Sequence, residues 1–557
     1  MVVLWGLLSL IPYSDRTNLD SGCHGFFHGD SALESSPPTP GLSTPTSAFA
    51  NSLSAGAYFE IRRKQAVTAP MASDEARDEV VQHLPPSEST PLLGDSSSQA
   101  LVSPTRDDWW SELWLLLRYS LPLIATYLLQ YSWCVIVTFI SGHLSADDLA
   151  AASVGMTTMN IVGFAAFEGM ATALDTLCAQ AYGSGSLTGV GLHVQRMLIL
   201  MAFAAVPIGA IWAASPWILS VFVKQHHLAV MAGTFLRVSI IGMPGYASFE
   251  ALKRFLQAQG DFKAAMCILI VCTPLNALLS WLFAFKLGWG LAGAALGTAL
   301  TNNLRPTLLL LYIVSPAGRW SHQCWGGFSQ AALSVSKMGP MIKLSIAGSA
   351  VNLAEWGAFE IVAFSTSYLS TKHLATQSVL TTISVVSWHI PFSVSVGIST
   401  RIGHLIGAGL VATARRAAVL YGCIFALIGC FDGLAIFSLR HYLPRFFSDD
   451  PAVCAMAAKT MLAVSVFQVI DAFICFTNGM LRGLGRQSVA AWVVTAVNYG
   501  AAVPFAIWLE LGPSGLELNG VWIGIGSGMV IIAAVECCYM RILRWQDCVD
   551  HAKSREG

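Results

Sequence analysis

The amino-acid sequence predicts an all-α membrane protein: twelve transmembrane helices in two pseudo-symmetric six-helix lobes. Three observations carry this. The 557 residues are 54% hydrophobic and 11% charged, where soluble domains carry about 25% charge. From Trp109 onward, apolar stretches of spanning length follow one another. Motifs of the first half recur in the second at a nearly constant offset. So little charge cannot cover a surface that faces water. It suits lipid, where helices satisfy their own backbone hydrogen bonds and apolar side chains meet acyl tails.

Residues 1–105 differ from the rest. They are rich in Ser, Pro, Thr and Gly, as at Ser35-Ser36-Pro37-Pro38-Thr39-Pro40, and lack sustained periodicity. Such a segment buries too little apolar area to offset its ordering entropy, so a disordered cytosolic tail is expected. The opening run Val2 to Tyr13 is apolar but short, without the basic flank of a signal peptide. Met71 begins a polar stretch that would itself serve as a cytosolic N-terminus. Glu88 followed by Leu92-Leu93 fits an acidic dileucine sorting motif. It would engage sorting adaptors and favour a vacuolar or lysosomal membrane; the plasma membrane is the other destination.

A helix needs about 20 residues to cross the ~30 Å hydrocarbon core. The expected spans are 113–140, 148–179, 191–214, 229–256, 262–286, 289–314, 337–368, 373–399, 412–439, 452–481, 487–510 and 518–544. They divide the chain into an N-lobe over 106–314, a cytosolic connector over 315–336, a C-lobe over 337–545 and a cytosolic tail over 546–557.

The lobes repeat. Leu149-Ala150 with Ser153-Val154 recurs at an offset of 225 as Leu374-Ala375 with Ser378-Val379. Gly183-Ser184-Gly185 matches Gly407-Ala408-Gly409 at 224, and Leu256 with Gly260 matches Leu481 with Gly485 at 225. Gly293 and Gly297 match Gly520 and Gly524 at 227. Two similar bundles around a central site are one way to build alternating access.

Basic loops set the orientation. Loops from even to odd spans, with the C-terminus, hold Arg196, Lys253, Arg254, Lys263, Arg319, Arg401, Arg415, Arg416 and Arg482 among others. The opposite loops hold only Lys224, Lys286, Lys372, Arg440 and Arg445. The first side, with both termini, is therefore expected to be cytosolic.

Several function classes fall away. A net charge of −1 gives no footprint for nucleic acid. The 13 cysteines are scattered through apolar runs without zinc-ligand spacing, so neither a metal nor a disulfide framework is expected. No cofactor is expected, and no His cluster, P-loop or nucleophile motif supports a membrane enzyme.

A charge in mid-membrane is expensive and marks function by default. The acids are Glu168 and Asp175 in span 2, Glu355 and Glu360 in span 7, Asp432 in span 9, Asp471 in span 10 and Glu536 in span 12. No run of basic residues is expected inside the membrane to neutralise them. A carboxyl that gains a proton on one side and loses it on the other couples transport to a proton gradient. Asn352 and Glu355 are three apart and share a helix face, whereas Glu360 lies about 140° further round. Glu355 is therefore preferred for the cavity. Glu360 stays a cavity candidate with packing between helices as the other reading. Asp175 is expected near the cytosolic border as a structural or gating acid, and Glu168, on the same face and deeper, as a locally paired one. His389 beside Pro391 is either a packing or a titrating group. Further cavity candidates are Gln130, Asn160 and Gln377, with Tyr131 and Trp356 for flat or cationic compounds. Tyr127, Trp133 and Tyr368 are aromatics of the same kind.

These residues carry a resemblance over about 115 to 545. Its stretches are Gly142-His143-Leu144, then Ala173-Leu174-Asp175-Thr176-Leu177 with Gln180-Ala181-Tyr182-Gly183. Arg254-Phe255-Leu256-Gln257-Ala258-Gln259-Gly260 and Trp325-Gly326-Gly327-Phe328-Ser329 follow. The C-lobe adds Glu355-Trp356 with Phe359-Glu360, Ser399-Thr400-Arg401-Ile402-Gly403 with Gly407-Ala408-Gly409, and Gly479-Met480-Leu481-Arg482-Gly483. In order and spacing the chain resembles a eukaryotic, fungal-like multidrug and toxic compound extrusion (MATE) transporter. The resemblance implies two lobes around a V-shaped cavity and exchange of organic cations, drugs or amphipathic metabolites for H⁺ or Na⁺. It implies proton coupling by a span 7 glutamate and a span 10 acid, here Glu355 and Asp471. Bacterial members often place the coupling acid in span 1, where this chain has Gln130. Glu168 stands where the family usually has an apolar residue. The expected partners are a small organic substrate and the bilayer, and the expected state is a monomer. A lipid or oligosaccharide-lipid flippase of related architecture is the competing reading; it would want a basic cavity.

Overall fold

Apolar runs without turn signals become helices because a helix closes its backbone hydrogen bonds within itself. The computed structural model describes residues 106–222, 225–334, 337–448 and 450–556. The N-terminal segment, with Glu88, Leu92 and Leu93, lies outside the described residues.

Among the described residues, twelve long helices cover the expected spans. The N-lobe holds span 1 (Arg106–Leu144), span 2 (Ala146–Ser184), span 3 (Leu187–Ala213), span 4 (His226–Ala258), span 5 (Lys263–Lys286) and span 6 (Gly290–Val314). The C-lobe holds span 7 (Gly339–Thr366), span 8 (Thr371–Gly407), span 9 (Val411–Leu439), span 10 (Pro451–Gly483), span 11 (Gln487–Leu511) and span 12 (Glu517–Ile542). Among the described residues, 10 of these are long and apolar enough to cross a membrane on composition alone. Spans 6 and 7 fall short because they carry Asn302, Asn303 and Arg305, and Lys343, Asn352, Glu355 and Glu360. Phe203, Val206, Leu427, Phe431 and Leu434 are exposed on the outward faces, where a soluble protein would carry charge.

The repeat in sequence is a repeat in structure. Ser145 and Ser370, related by the offset of 225, N-cap spans 2 and 8 with their hydroxyls. Gly260 and Gly485 both end their helices at left-handed φ, 82° and 71°. Gly297 lies against the backbone of Ser280 in span 5, and Gly524 against the backbone of Ala506 in span 11. The bends also correspond, though by different devices. Span 2 opens into a π turn at Asn160–Phe164 where span 8 has Pro391. Span 5 has Pro274 where span 11 has a π turn at Asn498–Ala502. Both devices free a carbonyl from the regular ladder and bend the helix.

Beyond the spans, the connector packs beneath the N-lobe. Gln195 of span 3 donates to the Gly327 carbonyl at 2.8 Å and accepts from the Ser329 N–H at 3.1 Å. The last residues form a helix, Trp545–Glu556. Its Trp545, Cys548, Val549 and Ala552 bury in the C-lobe core, while Arg555 reaches Gln180 of span 2 at 3.1 Å.

The lobes close on each other at the ends of spans 2, 8 and 10. Gly183 faces the His404 carbonyl, and its repeat partner Gly407 faces the Gln180 carbonyl; a Cβ at either would collide. Thr176 and Gln180 donate to the carbonyls of Arg482 and Gly483, and Gln487 donates to that of Thr172 at 2.9 Å. Arg401 pairs with Glu112, and His404 meets the Ala258 carbonyl at 2.8 Å.

Gly524→Val is expected to unfold at lower temperature than the wild type in detergent, by about 1–3 kcal/mol of stability. The added methyls meet span 11 backbone, which cannot yield as a side-chain tip can. Thermal unfolding followed by fluorescence checks it, and an unchanged melting curve contradicts the close approach.

Candidate substrate cavity

Between the lobes lies a cavity of about 500 Å³, large enough for a drug-sized molecule. Helices of both lobes line it. Glu355, Asp471, Asn352, Trp356, Glu360, Gln130, Tyr131, Asn160, His389 and Glu168 all reach its wall, as do Tyr127 and Trp133. The π turn of span 2 brings Asn160 there, and the Pro391 bend of span 8 brings His389. His389 turns one ring nitrogen back to the Val385 carbonyl at 2.6 Å and sets its ring 5.1 Å from that of Tyr131, across the lobes.

Three expectations need correction. Gln377 is buried behind the wall, where its carbonyl accepts from Trp522 Nε1 at 3.1 Å; Trp522 is the residue that faces the cavity. Glu168, expected to be locally paired, stands on the cavity wall with no cation within 4.0 Å among the described residues, while Glu360, a cavity candidate, shares that wall with Glu355 and is exposed. Tyr368 is exposed beyond the cavity and packs on Phe364.

A fourth correction changes the electrostatics. Basic residues do stand inside the protein. Lys253, Arg254, Arg305 and Arg482 are all buried in helices, the first two and the last at span ends where the sequence reads as loop. Lys253 pairs with Glu250 at 2.9 Å, and Arg254 with both Glu250 and Asp175, the latter at 3.2 Å. Arg482 of the C-lobe leans across to Asp175 at 3.8 Å and also donates to Ser395. Glu250 further accepts from Gln130 at 2.9 Å. Asp175 thus joins one arginine of each lobe. Glu250 is absent from the sequence-based expectations. Its signal is the i, i+3, i+4 spacing of Glu250, Lys253 and Arg254 on one helical face.

The C-lobe acids live differently. Glu355 accepts from Asn478 Nδ2 at 3.2 Å, and Asp471 accepts from Gln468 Nε2 at 3.3 Å. Gln468 is itself held by the Ser384 hydroxyl at 3.1 Å. Glu536 is fully buried and takes a hydrogen bond from Thr477. Among the described residues, none of Glu355, Asp471, Asp432 and Glu536 has a cation within 4.0 Å.

The repeat makes the contrast sharper. Gln130 and Glu355 are related by the offset of 225, and so are Lys253 and Asn478. Lys253 donates to Gln130 at 3.1 Å in one lobe, and Asn478 donates to Glu355 at 3.2 Å in the other. The same bond is made twice. In the N-lobe the donor is the ion and the acceptor neutral; in the C-lobe the acceptor is the acid and the donor neutral.

Removing one member of a buried ion pair strands the others. Asp175→Asn is therefore expected to cost roughly 3 kcal/mol of stability. It should lower the melting temperature of the purified protein more than Glu355→Gln does. Equal melting of the two variants would contradict the pairing.

The comparisons with known proteins agree with this geometry. The MatE family profile matches residues 122–282 and 349–508. The two matches begin at positions offset by 227, in step with the repeat. A Schizosaccharomyces pombe protein described as uncharacterized transporter C4B3.13 is 38% identical over 447 residues, 80% of this chain and 82% of its own length. Arabidopsis thaliana Protein DETOXIFICATION 16 is 30% identical over 448 residues, 80% of this chain and 88% of its own. The crystal structure of the eukaryotic MATE transporter AtDTX14 superposes with a TM-score of 0.76 at 26% identity, covering 80% of this chain and 99% of that one. With the profile over both lobes and relatives matched along most of their length, the chain belongs to the MATE family of multidrug and toxin extrusion transporters.

Proposed function

We propose that this transporter is a secondary active antiporter that exports small organic cations or amphipathic metabolites and drugs in exchange for H⁺. The observation that carries the reading is the pair Glu355 and Asp471. Both line the cavity, both are held by neutral amides, and neither has a cation within 4.0 Å among the described residues. A bare carboxylate there is poorly solvated and calls for a positive partner. A proton is one such partner and an organic cation is another. Loading of the two is then mutually exclusive, and mutually exclusive loading is what exchange requires. The N-lobe acids Asp175 and Glu250 are already paired with Arg and Lys, so they hold the lobes together instead.

On the positive-inside pattern both termini are cytosolic. The closed ends of spans 2, 8 and 10 then face the cytosol, and the cavity stands ready to release substrate on the far side. The protein would work in a vacuolar, lysosomal or plasma membrane, as xenobiotic efflux or sequestration.

Glu355→Gln keeps shape and hydrogen bonding but removes the titration. Uptake of a fluorescent organic cation into vesicles with an imposed pH gradient is expected to fall to background in this variant, with insertion and folding intact. Asp471→Asn should behave likewise and Glu360→Gln less severely. A correctly inserted Glu355→Gln protein with full pH-driven exchange would overturn the reading. Transport driven by a Na⁺ gradient without a pH gradient would reassign the ion to Na⁺.

A further inference from the structure

One cation in the cavity wall has no acid. Arg305 of span 6 lines the cavity and is 2% exposed. Among the described residues no carboxylate lies within 4.0 Å of it. Of the N-lobe acids, Glu250 is already occupied by Lys253, Arg254 and Gln130, and Asp175 by Arg254 and Arg482; Glu168 shares the wall but lies more than 4.0 Å from Arg305. What surrounds the guanidinium instead is aromatic: its carbon lies 4.5 Å from the Trp133 ring centre, 4.6 Å from Phe249 and 5.4 Å from Tyr246. One terminal nitrogen donates to Asn302 Oδ1 at 2.5 Å, and the Nε–H has no partner.

Rings stabilise a cation but accept none of its in-plane N–H bonds. A guanidinium fixed in this way keeps its charge and part of its donor fork for something else. A planar carboxylate is the group that fits that fork, through two parallel hydrogen bonds. Asn302, one turn away and also on the wall, fixes the fork's direction. The repeat adds a second argument. At the offset that relates Gly297 to Gly524, Arg305 corresponds to Ile532, a buried apolar residue. Arg305 therefore has no repeat counterpart on the side of Glu355 and Asp471, where the wall cation Arg482 is paired with Asp175.

We infer that Arg305 is the carboxylate-binding pole of a two-poled cavity, so that the molecules it takes best are zwitterions carrying a cationic group and a carboxylate on a flat apolar body. The cationic group sits toward Glu355 and Asp471, the carboxylate on Arg305 and Asn302, and the body among Trp133, Tyr246 and Phe164. The site rests on the proposed cation exchange for its other pole. The carboxylate pole itself needs only Arg305.

The test uses a rhodamine with a free carboxyl group and its methyl ester, two flat dyes that differ in that one charge. Binding of each to the purified full-length protein in nanodiscs is measured by fluorescence polarisation, without any ion gradient. The wild type is expected to bind the acid at least about tenfold more tightly than the ester, since losing one partner of a desolvated charge pair costs that much or more. In Arg305→Gln the ratio should fall to about one, and in Arg305→Lys, which keeps charge but not the fork, it should lie between. A wild-type ratio near one, or a ratio unchanged in Arg305→Gln, overturns the inference. The wild-type ratio decides the question even if neither variant folds. Vesicle transport separates the two readings. Selective binding of the acid without pH-driven movement of either dye would defeat the exchange mechanism and leave the Arg305 site standing.

Discussion

A charge inside a bilayer must be neutralised by something, and the rest of this structure is arranged by what does it. For the N-lobe acids Asp175 and Glu250 the neutralising groups are built in. Asp175 lies between Arg254 and Arg482, and Glu250 between Lys253 and Arg254. These contacts draw span 2, span 4 and span 10 together and tie one lobe to the other at their buried ends. In the C-lobe, Glu355 and Asp471 have no cation within 4.0 Å among the described residues, and on the proposed exchange they depend on what enters the cavity. Fixed pairing gives a frame, and open pairing gives a site. Within the protein interior an unmet charge is the less stable arrangement.

Duplication explains how one architecture holds both. The Gln130–Lys253 bond and the Glu355–Asn478 bond occupy equivalent places with the charge moved from donor to acceptor. Tyr246 and Asp471 are likewise related by the offset of 225, and both face the cavity. Helix packing was kept, as the glycines against span 5 and span 11 show, while the polar chemistry of the wall diverged. A pseudo-symmetric shell around an asymmetric interior gives the cavity distinguishable ends, and a substrate can then be held in one orientation.

The fold is legible in the sequence because its determinants are local. Span length, serine caps and glycine pairs can be read from one stretch of chain at a time, and the offset near 225 follows from those stretches alone. The cavity acids are legible for a related reason: a carboxyl in an apolar run is costly to keep and stands out from its neighbours. Partners are not legible. Lys253, Arg254 and Arg482 lie at span ends, where long basic side chains usually reach for water, and only the packing of other spans over them makes them interior. Glu360 escapes a helical-wheel argument because helices of both lobes build the wall and it takes in residues well apart round span 7, and Gln377 is hidden because its side chain is taken up by Trp522. Arg305 carries no signal of its own, since its meaning lies in what surrounds it, three rings drawn from spans 1 and 4.

The glycine contacts at the closed end set how the lobes can part. Gly183 against His404 and Gly407 against Gln180 bring main chains together with no side chain between them. Attraction between atoms in contact falls off steeply, so a gap of about 0.5–1 Å already forfeits a quarter to a half of it. A long side chain could stretch and follow a receding partner; a bare backbone cannot. The glycine contacts therefore have a short working range, and intermediate separations gain little from them. Contacts of this kind favour two well-separated positions over a continuum, and on the proposed exchange that keeps the transporter from standing ajar to both sides at once.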